Sequence, residues 1–174
     1  MSKEIPRRRD NFAVSNLSTM ELKTFYKIRF SDCDSFKHLH NSGYIDYMLN
    51  AREDHLMEFY GISMTDLYAK GSGWMVNKHE IVYLSPANYN EKVCIQSDLI
   101  KRGDDSLLVE MSMWDERQTR LKAVLWTKLI HINMQTGKRD KHPDWFMELS
   151  EGFENTSLQQ FGSLNERLAM LAAR

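Results

Sequence analysis

Apolar and polar residues alternate from Phe25 to Phe30, with Phe25, Lys27 and Arg29 on one side and Tyr26, Ile28 and Phe30 on the other. A period of two predicts a first strand. Ser31 to His40 is polar and turn-like, and from Asn41 to Tyr60 the apolar positions recur at helical spacing. Tyr44, Tyr47, Met48 and Ala51 line one face, Ile45, Leu49, Leu56 and Phe59 widen it, and Asp46, Asn50, Glu53, Asp54 and Glu58 gather opposite. So narrow a polar stripe predicts a helix largely enclosed by other structure. Asn41 is its expected N-cap, because the side-chain oxygen can accept from a first-turn N–H. Gly61 is its expected stop, and Ser63 to Lys70 reads as a short second helix closed by Gly71.

Beyond Gly73 strand signals take over, in Trp74 to Leu84, Lys92 to Lys101, Leu107 to Trp114 and Leu121 to Met134. Val93, Ile95, Ser97 and Leu99 alternate with their neighbours, as do Leu107, Val109, Met111 and Met113 against Glu110 and Ser112. Gly103-Asp104-Asp105 and Asp115 to Thr119 read as hairpin loops. Strands so closely joined must be antiparallel. A strand, a long apolar helix and four more strands predict an α+β fold, a five-stranded sheet burying one face against the helix. Pro143 opens a further helix, and Leu158 to Ala173 repeats helically through Leu164, Leu168 and Leu171. The expected organisation is an N-terminal tail over 1–20, a domain over 21–140 and a C-terminal helical extension over 141–174.

With 174 residues the chain suits one domain, and 42% hydrophobic with 27% charged residues makes it globular. The net charge of −1 removes any bulk electrostatic case for nucleic acid or an anionic membrane. Arg7-Arg8-Arg9 reads as a solvated part of the tail. No apolar run is long enough to span a bilayer, and no secretory h-region is expected. Two cysteines, Cys33 and Cys94, make no disulfide framework, so a cytoplasmic location is expected. His38-x-His40 near Asp32 and Asp34 invites a metal reading, but the spacing matches no zinc pattern. No metal or cofactor is expected.

The stretch IRFSDCDSFKHLHNSGYIDYMLNARE, with Asp32-Cys33-Asp34 at a strand end and Asn41-Ser42-Gly43-Tyr44 opening the helix, resembles the 4-hydroxybenzoyl-CoA thioesterase-like branch of the hot-dog superfamily. His79-Glu80-Ile81-Val82-Tyr83-Leu84-Ser85-Pro86-Ala87 resembles that family's second strand, which ends in a Pro-Ala turn. His38-Leu39-His40-Asn41 is an altered form of a His-Val-Asn-Asn sequence found among relatives.

The resemblance implies a hot-dog fold and hydrolysis of an acyl thioester of coenzyme A or an acyl-carrier protein. A non-catalytic acyl-CoA-binding protein of the same fold is the alternative. Asp34 would then be nucleophile or general base, His38 a catalytic partner, and the backbone N–H of Asn41 an oxyanion donor, since first-turn N–H groups carry partial positive charge. Tyr44 and Tyr47, with Trp74 or Met75 from the neighbouring strand, would line the acyl pocket, against a reading of the aromatics as plain core. Lys101, Arg102 and Ser106 lie where relatives contact the nucleotide, although Asp104 and Asp105 stand where bases are common. His40 has no family role. The resemblance also implies pairing through an edge strand, as a homodimer or homotetramer with sites at the subunit boundary.

Overall fold

Alternation along the three central strands sends two different apolar sets to two faces of one sheet. These strands are β3 (Lys92–Arg102), β4 (Ser106–Asp115) and β5 (Leu121–Asn133). With β1 (Lys23–Lys27) and β2 (Ser72–Tyr83) they run in the order β1-β3-β4-β5-β2, every pairing antiparallel. A two-residue strand, β6 (Lys138–Arg139), adds a sixth piece beside β5. The computed structural model describes residues 22–172; the expected tail and its arginine run lie outside the described residues.

Cross-strand register builds the inner face in rows. Ser97, Met111, Leu125 and Ile81 stand side by side, and the next row along is Leu99, Val109, Thr127 and His79. Onto this face packs α1 (Asn41–Tyr60), burying Tyr44, Met48, Ala51 and His55, a 4-3-4 spacing that keeps them on one stripe. Gly61 ends the helix as expected, in the left-handed conformation at φ 65°. The next helix, α2 (Met64–Ala69), is capped by Ser63. The first strand is shorter than the alternation predicts. It stops at Lys27, where Ile28 turns its N–H and C=O to Glu91 and Asn90, and Phe30–Asp32 is a 3-10 turn.

The outer face carries a second core, which the sequence reading did not foresee. Ile100, Val124 and Trp126 are buried there with Leu158 and Leu164, and Leu168 and Leu171 pack against them. The extension starts inside with α3 (Asp144–Leu149) behind Pro143, as expected. It then crosses the β3 edge, where Asn155 donates to the Leu99 carbonyl at 2.8 Å. It ends outside as α4 (Leu164–Ala172). Continuous helix from Leu158 is thus corrected: Thr156–Leu158 is a 3-10 turn, and α4 begins only after Ser163. Ser163 Oγ accepts from the Glu166 N–H, while the Glu166 carboxylate accepts from Gly162 N–H, a variant of the capping box whose carboxylate reaches one residue beyond the cap.

Arg167 fastens α4 to the sheet. It grips the Glu110 carboxylate through Nε and Nη2 at 2.9–3.1 Å, and Trp126 Nε1 donates to the same carboxylate at 2.8 Å. Glu110 is only 3% exposed. Removing Arg167 would leave a buried charge with a single indole donor. Arg167→Ala is therefore expected to cost about 3–5 kcal/mol in denaturant unfolding, whereas Arg167→Met with Glu110→Met should recover most of that loss.

On the inner face His55, fully buried, meets Ser97 Oγ through Nδ1 at 2.7 Å, and its Nε2 has no partner. Burial first, then the Arg52 charge, depresses its pKa from 6.5 to about 4. As pH falls below 6.5 the unfolded chain gains the proton and the folded one does not, so stability drops until the folded pKa is passed. Wild type is expected to lose up to about 3 kcal/mol between pH 6.5 and pH 4 from this group. His55→Gln should flatten that part of a stability-against-pH profile.

Candidate active site

The Asp34 loop is a tight hairpin pinned between β1, α1 and the segment after β2. Asp34 N–H donates to the His38 carbonyl at 2.8 Å and Lys37 N–H to the Asp34 carbonyl at 3.0 Å, with Lys37 left-handed at φ 64°. Asp34 Oδ1 accepts from the N–H groups of Phe36 at 2.8 Å and His38 at 3.1 Å. One carboxylate oxygen is thereby fixed by backbone, and the residue is exposed to solvent. The hairpin is stitched to the Pro-Ala turn: Leu39 N–H donates to the Ala87 carbonyl and Tyr89 N–H to the Lys37 carbonyl, both at 2.8 Å. The half-buried His38 ring stacks against Phe36, with centroids 6.5 Å apart.

The helix start differs from the expectation. His40, not Asn41, caps α1: its Nδ1 accepts from the Gly43 N–H at 2.9 Å and lies 3.0 Å from Ser42 Oγ. Histidine is not a favoured cap, but a neutral ring nitrogen is an acceptor, and Gly43 leaves room for it. A Cβ on Gly43 would stand 2.6 Å from Leu39 Cδ1 and 3.1–3.2 Å from the His40 ring. With Gly43 N–H satisfied by the cap, helix geometry leaves the N–H groups of Asn41 and Ser42 without intrahelical partners. Asn41 is exposed as the first helical residue, and its carbonyl accepts from Tyr83 Oη at 2.9 Å.

Both helix tyrosines hold the loop by their hydroxyls. Tyr47 donates to Asp32 Oδ2 at 2.6 Å, and Ser31 donates to Oδ1 at 2.8 Å. These bonds pull the Asp32 carboxyl below its ordinary range, while burial and the same carboxylate push the Tyr47 phenol up to about 12. Tyr44 is buried and accepts from the Ala87 N–H at 2.8 Å. Tyr26 donates to Asp54 beside them. Cys33, between the aspartates, donates to the Arg29 carbonyl; burial and then Asp32 and Asp34 push its thiol up, away from nucleophile character.

The remaining candidates lie elsewhere. β3 runs from beside the Asp34 loop to Arg102, roughly 30 Å of strand, so Lys101, Arg102 and Ser106 sit at the opposite end of the sheet. Arg102 Nη1 donates to Ser150 Oγ at 2.8 Å and to the Met147 carbonyl, so it clamps α3. Lys101 is exposed, and Ser106 closes the hairpin through its carbonyl to Gly103 N–H. The acidic pair at this hairpin has a structural use. Asp105 binds Arg139 at 2.6 Å and Asp104 lies 3.7 Å from Lys141, both bases from the segment after β5. Trp74 is at this end too, donating from Nε1 to His142 Nε2 at 3.0 Å. It lines a cavity of about 440 Å³ that none of Asp34, His38, Asn41, Tyr44 and Tyr47 reaches. Arg52, which also lines that cavity, was passed over in the sequence because it falls within the helix's apolar repeat.

Among the described residues no group of three or more His, Cys, Asp or Glu side chains could hold a metal ion, and no helix is long and apolar enough to cross a membrane.

A long helix wrapped by a curled antiparallel sheet, with a pinned aspartate loop at the helix start, is a hot-dog architecture. The chain belongs to the thioesterase-like superfamily, which it matches over residues 28–149. None of the curated proteins matches it. Among solved structures it is similar to a hypothetical Staphylococcus aureus protein determined in complex with CoA, at 15% identity over 86% of this chain and 92% of that one, TM-score 0.71. It is also similar to a DHNA-CoA thioesterase from Staphylococcus aureus, at 21% identity over 84% and 94%, TM-score 0.69. A third, the hypothetical protein TT1821 from Thermus thermophilus, shares 22% identity over 76% and 97%, TM-score 0.67. At such identities the likeness is one of fold.

The cap geometry reverses an ordinary rule. Gly to Ala inside a helix commonly stabilises by up to about 1 kcal/mol. Here Gly43→Ala is expected to destabilise by about 1 kcal/mol or more, because it displaces the His40 ring and loses the cap. Thermal unfolding of Gly43→Ala and His40→Ala should show similar losses, with little further loss in the double variant.

Proposed function

We propose that the chain hydrolyses an acyl thioester of coenzyme A or an acyl-carrier protein, with Asp34 as the catalytic carboxylate. The observation that carries this reading is the Asp34 hairpin itself. Two backbone N–H groups fix one carboxylate oxygen beside a helix start whose first N–H groups lack intrahelical partners. In the general-base form, Asp34 takes a proton from water as the oxygen bonds to the thioester carbon. The carbonyl oxygen gains negative charge against the Asn41 N–H. The carbonyl then re-forms as the C–S bond breaks, and the departing thiolate takes the proton held by Asp34, which leaves a thiol, a free acid and the carboxylate restored. Direct attack by Asp34 would instead form an acyl-aspartyl anhydride; oxygen from labelled water in a single turnover separates the two.

The active unit is at least a dimer. Within one chain the Asp34 loop and the Trp74–Lys101–Ser106 end are separated by the length of the sheet, so a site using both needs a second copy. β2 supplies the means. It is an edge strand whose Met75, Val76, Asn77 and Lys78 are exposed. Antiparallel self-pairing centred between Lys78 and His79 sets Trp74 of one copy against Tyr83 of the other, whose hydroxyl bonds the first residue of α1. The ring of exposed Phe30, Phe36, Tyr83, Leu84 and Tyr89 around the loop fits a surface that a second copy and a substrate cover. Arg102 is committed to α3, while Lys101 is exposed at that end and available to a nucleotide phosphate.

Thiol release over a panel of acyl-CoA and acyl-carrier-protein thioesters tests the proposal. Asp34→Ala and Asp34→Asn should lower kcat by about a hundredfold or more. Equal rates would remove Asp34 from the mechanism, and no turnover of any thioester would favour a binding module. Light scattering should give a dimer or larger; a monomer that is fully active would overturn the shared site.

A further inference from the structure

The 440 Å³ cavity lies beneath the C-terminal half of α1, walled by Leu56, Leu99, Val109, Leu129 and Phe153. Leu49 and later helix residues line it, which puts it about 12 Å or more along the helix axis from the first residue of α1. Its size is in the range of small-molecule sites. Into these apolar walls comes a cation, Arg52. Its Nη1 donates to Ser97 Oγ at 3.3 Å, a hydroxyl that also faces His55 Nδ1 at 2.7 Å. Among the described residues no carboxylate lies within ion-pair distance of the guanidinium. Asp98, the acid that acts on it, is half-buried and accepts from Asn155 Nδ2 at 2.9 Å, and Glu53 is exposed on the cavity's lining.

A guanidinium carries five N–H donors and stays charged in proteins. Arg52 is half-buried, and one long bond to a shared hydroxyl leaves most of that donor capacity open to water or to a ligand in the cavity. Burial drags its pKa down, with Tyr60 and Asp98 pulling the other way. An occupant that fits must be apolar along its body and anionic at one end. Carboxylate matches the planar fork with two parallel hydrogen bonds.

We propose that this cavity is a binding site for a free carboxylic acid with a medium-length apolar chain, the carboxylate on Arg52 and the chain against Leu99, Val109 and Leu129. Within one chain the site is separate from the Asp34 loop, no residue of which lines it; Trp74, which the proposed dimer sets beside the partner's helix start, is a wall the two sites share, and the assignment of a carboxylate to Arg52 does not rest on the thioesterase reading.

Calorimetric titration of the full chain at neutral pH with octanoate and with octanol tests it. Octanoate should bind saturably, one per chain, and at least about tenfold more tightly than octanol, the scale of one charge-assisted hydrogen bond. Arg52→Gln should bring octanoate down to the level of octanol and leave octanol unchanged. Leu129→Phe, which fills the cavity without touching Arg52, should abolish both. Asp34→Ala should bind octanoate like wild type. No saturable octanoate binding, equal affinity for acid and alcohol in wild type, or a preference for the acid that survives Arg52→Gln would each overturn the proposal. Loss of binding in Asp34→Ala would move the ligand to the other site and overturn it as well.

Discussion

Ala87 is fully buried, so both of its backbone polar groups must be satisfied inside the protein, and both are satisfied by the candidate site. Its N–H goes to the Tyr44 hydroxyl on α1, and its carbonyl takes the Leu39 N–H from the aspartate hairpin. A buried peptide group left without partners costs about 1–3 kcal/mol. The chain therefore cannot move the helix, the hairpin or the end of β2 without disturbing the other two. Tyr47 to Asp32 adds a second tie a turn further along, and Tyr83 to the Asn41 carbonyl a third. Three tyrosine hydroxyls thus make one body of strand end, loop and helix start. That is the kind of support a carboxylate needs if it is to hold its position against a substrate.

The opposite constraint acts on the sheet. Its central strands are apolar on both faces, so a single covering helix would leave Val124, Trp126 and Ile100 in water. The C-terminal segment resolves this by running from the inner side, over the β3 edge, to the outer face, with the Arg167–Glu110 pair as its fastening. In doing so it also claims Arg102 and both hairpin aspartates. One edge of β3 is thereby closed. The outer edge of β2 is the long one that stays open among the described residues, and it runs from Trp74 to the helix start. The protein's asymmetry follows: one end of the sheet is wrapped by its own chain, the other presents exposed aromatics.

Much of this was legible in residue patterns. The period-two strands, the α1 stripe, Gly61 as stop, Ser63 to Lys70 as a helix and Pro143 as an entry all follow from local rules that tertiary contacts did not override. The errors have physical causes. Asn41 looked like the cap because propensity ranks asparagine high; His40 wins because Gly43 leaves space for an imidazole, a fact of three-dimensional crowding. Leu158 looked helical from spacing alone, although Ser163 and Glu166 spell a capping box that starts the helix later. The outer core was signalled by the unbroken run Ala123-Val124-Leu125-Trp126, which an amphipathic strand would not show. That Arg102 clamps α3 could not be read from sequence, since its partners, Met147 and Ser150, are about 45 residues away. For the candidate site, the hairpin and the helix start were legible as a segment, but the roles of its two tyrosines as tethers were not.

Position alone does not make Asp34 a catalyst. In an isolated chain it is open to water, where a carboxylate is a weak base and an oxyanion donor competes with solvent. Electrostatic stabilisation grows when water is excluded, because the same dipoles then act in a lower dielectric. The residues able to exclude it are already in place around the loop, in Phe30, Phe36, Tyr89 and Leu84, but they face outward. Exposed as they are, they contribute little to the core of a single chain. Their exposure becomes useful only against another surface, and the unpaired β2 edge lies where such a surface would be held. The hairpin supplies geometry and the aromatic ring would supply dryness once covered; in the proposed mechanism it is the combination of the two at one end of the sheet that would make a well-anchored aspartate reactive.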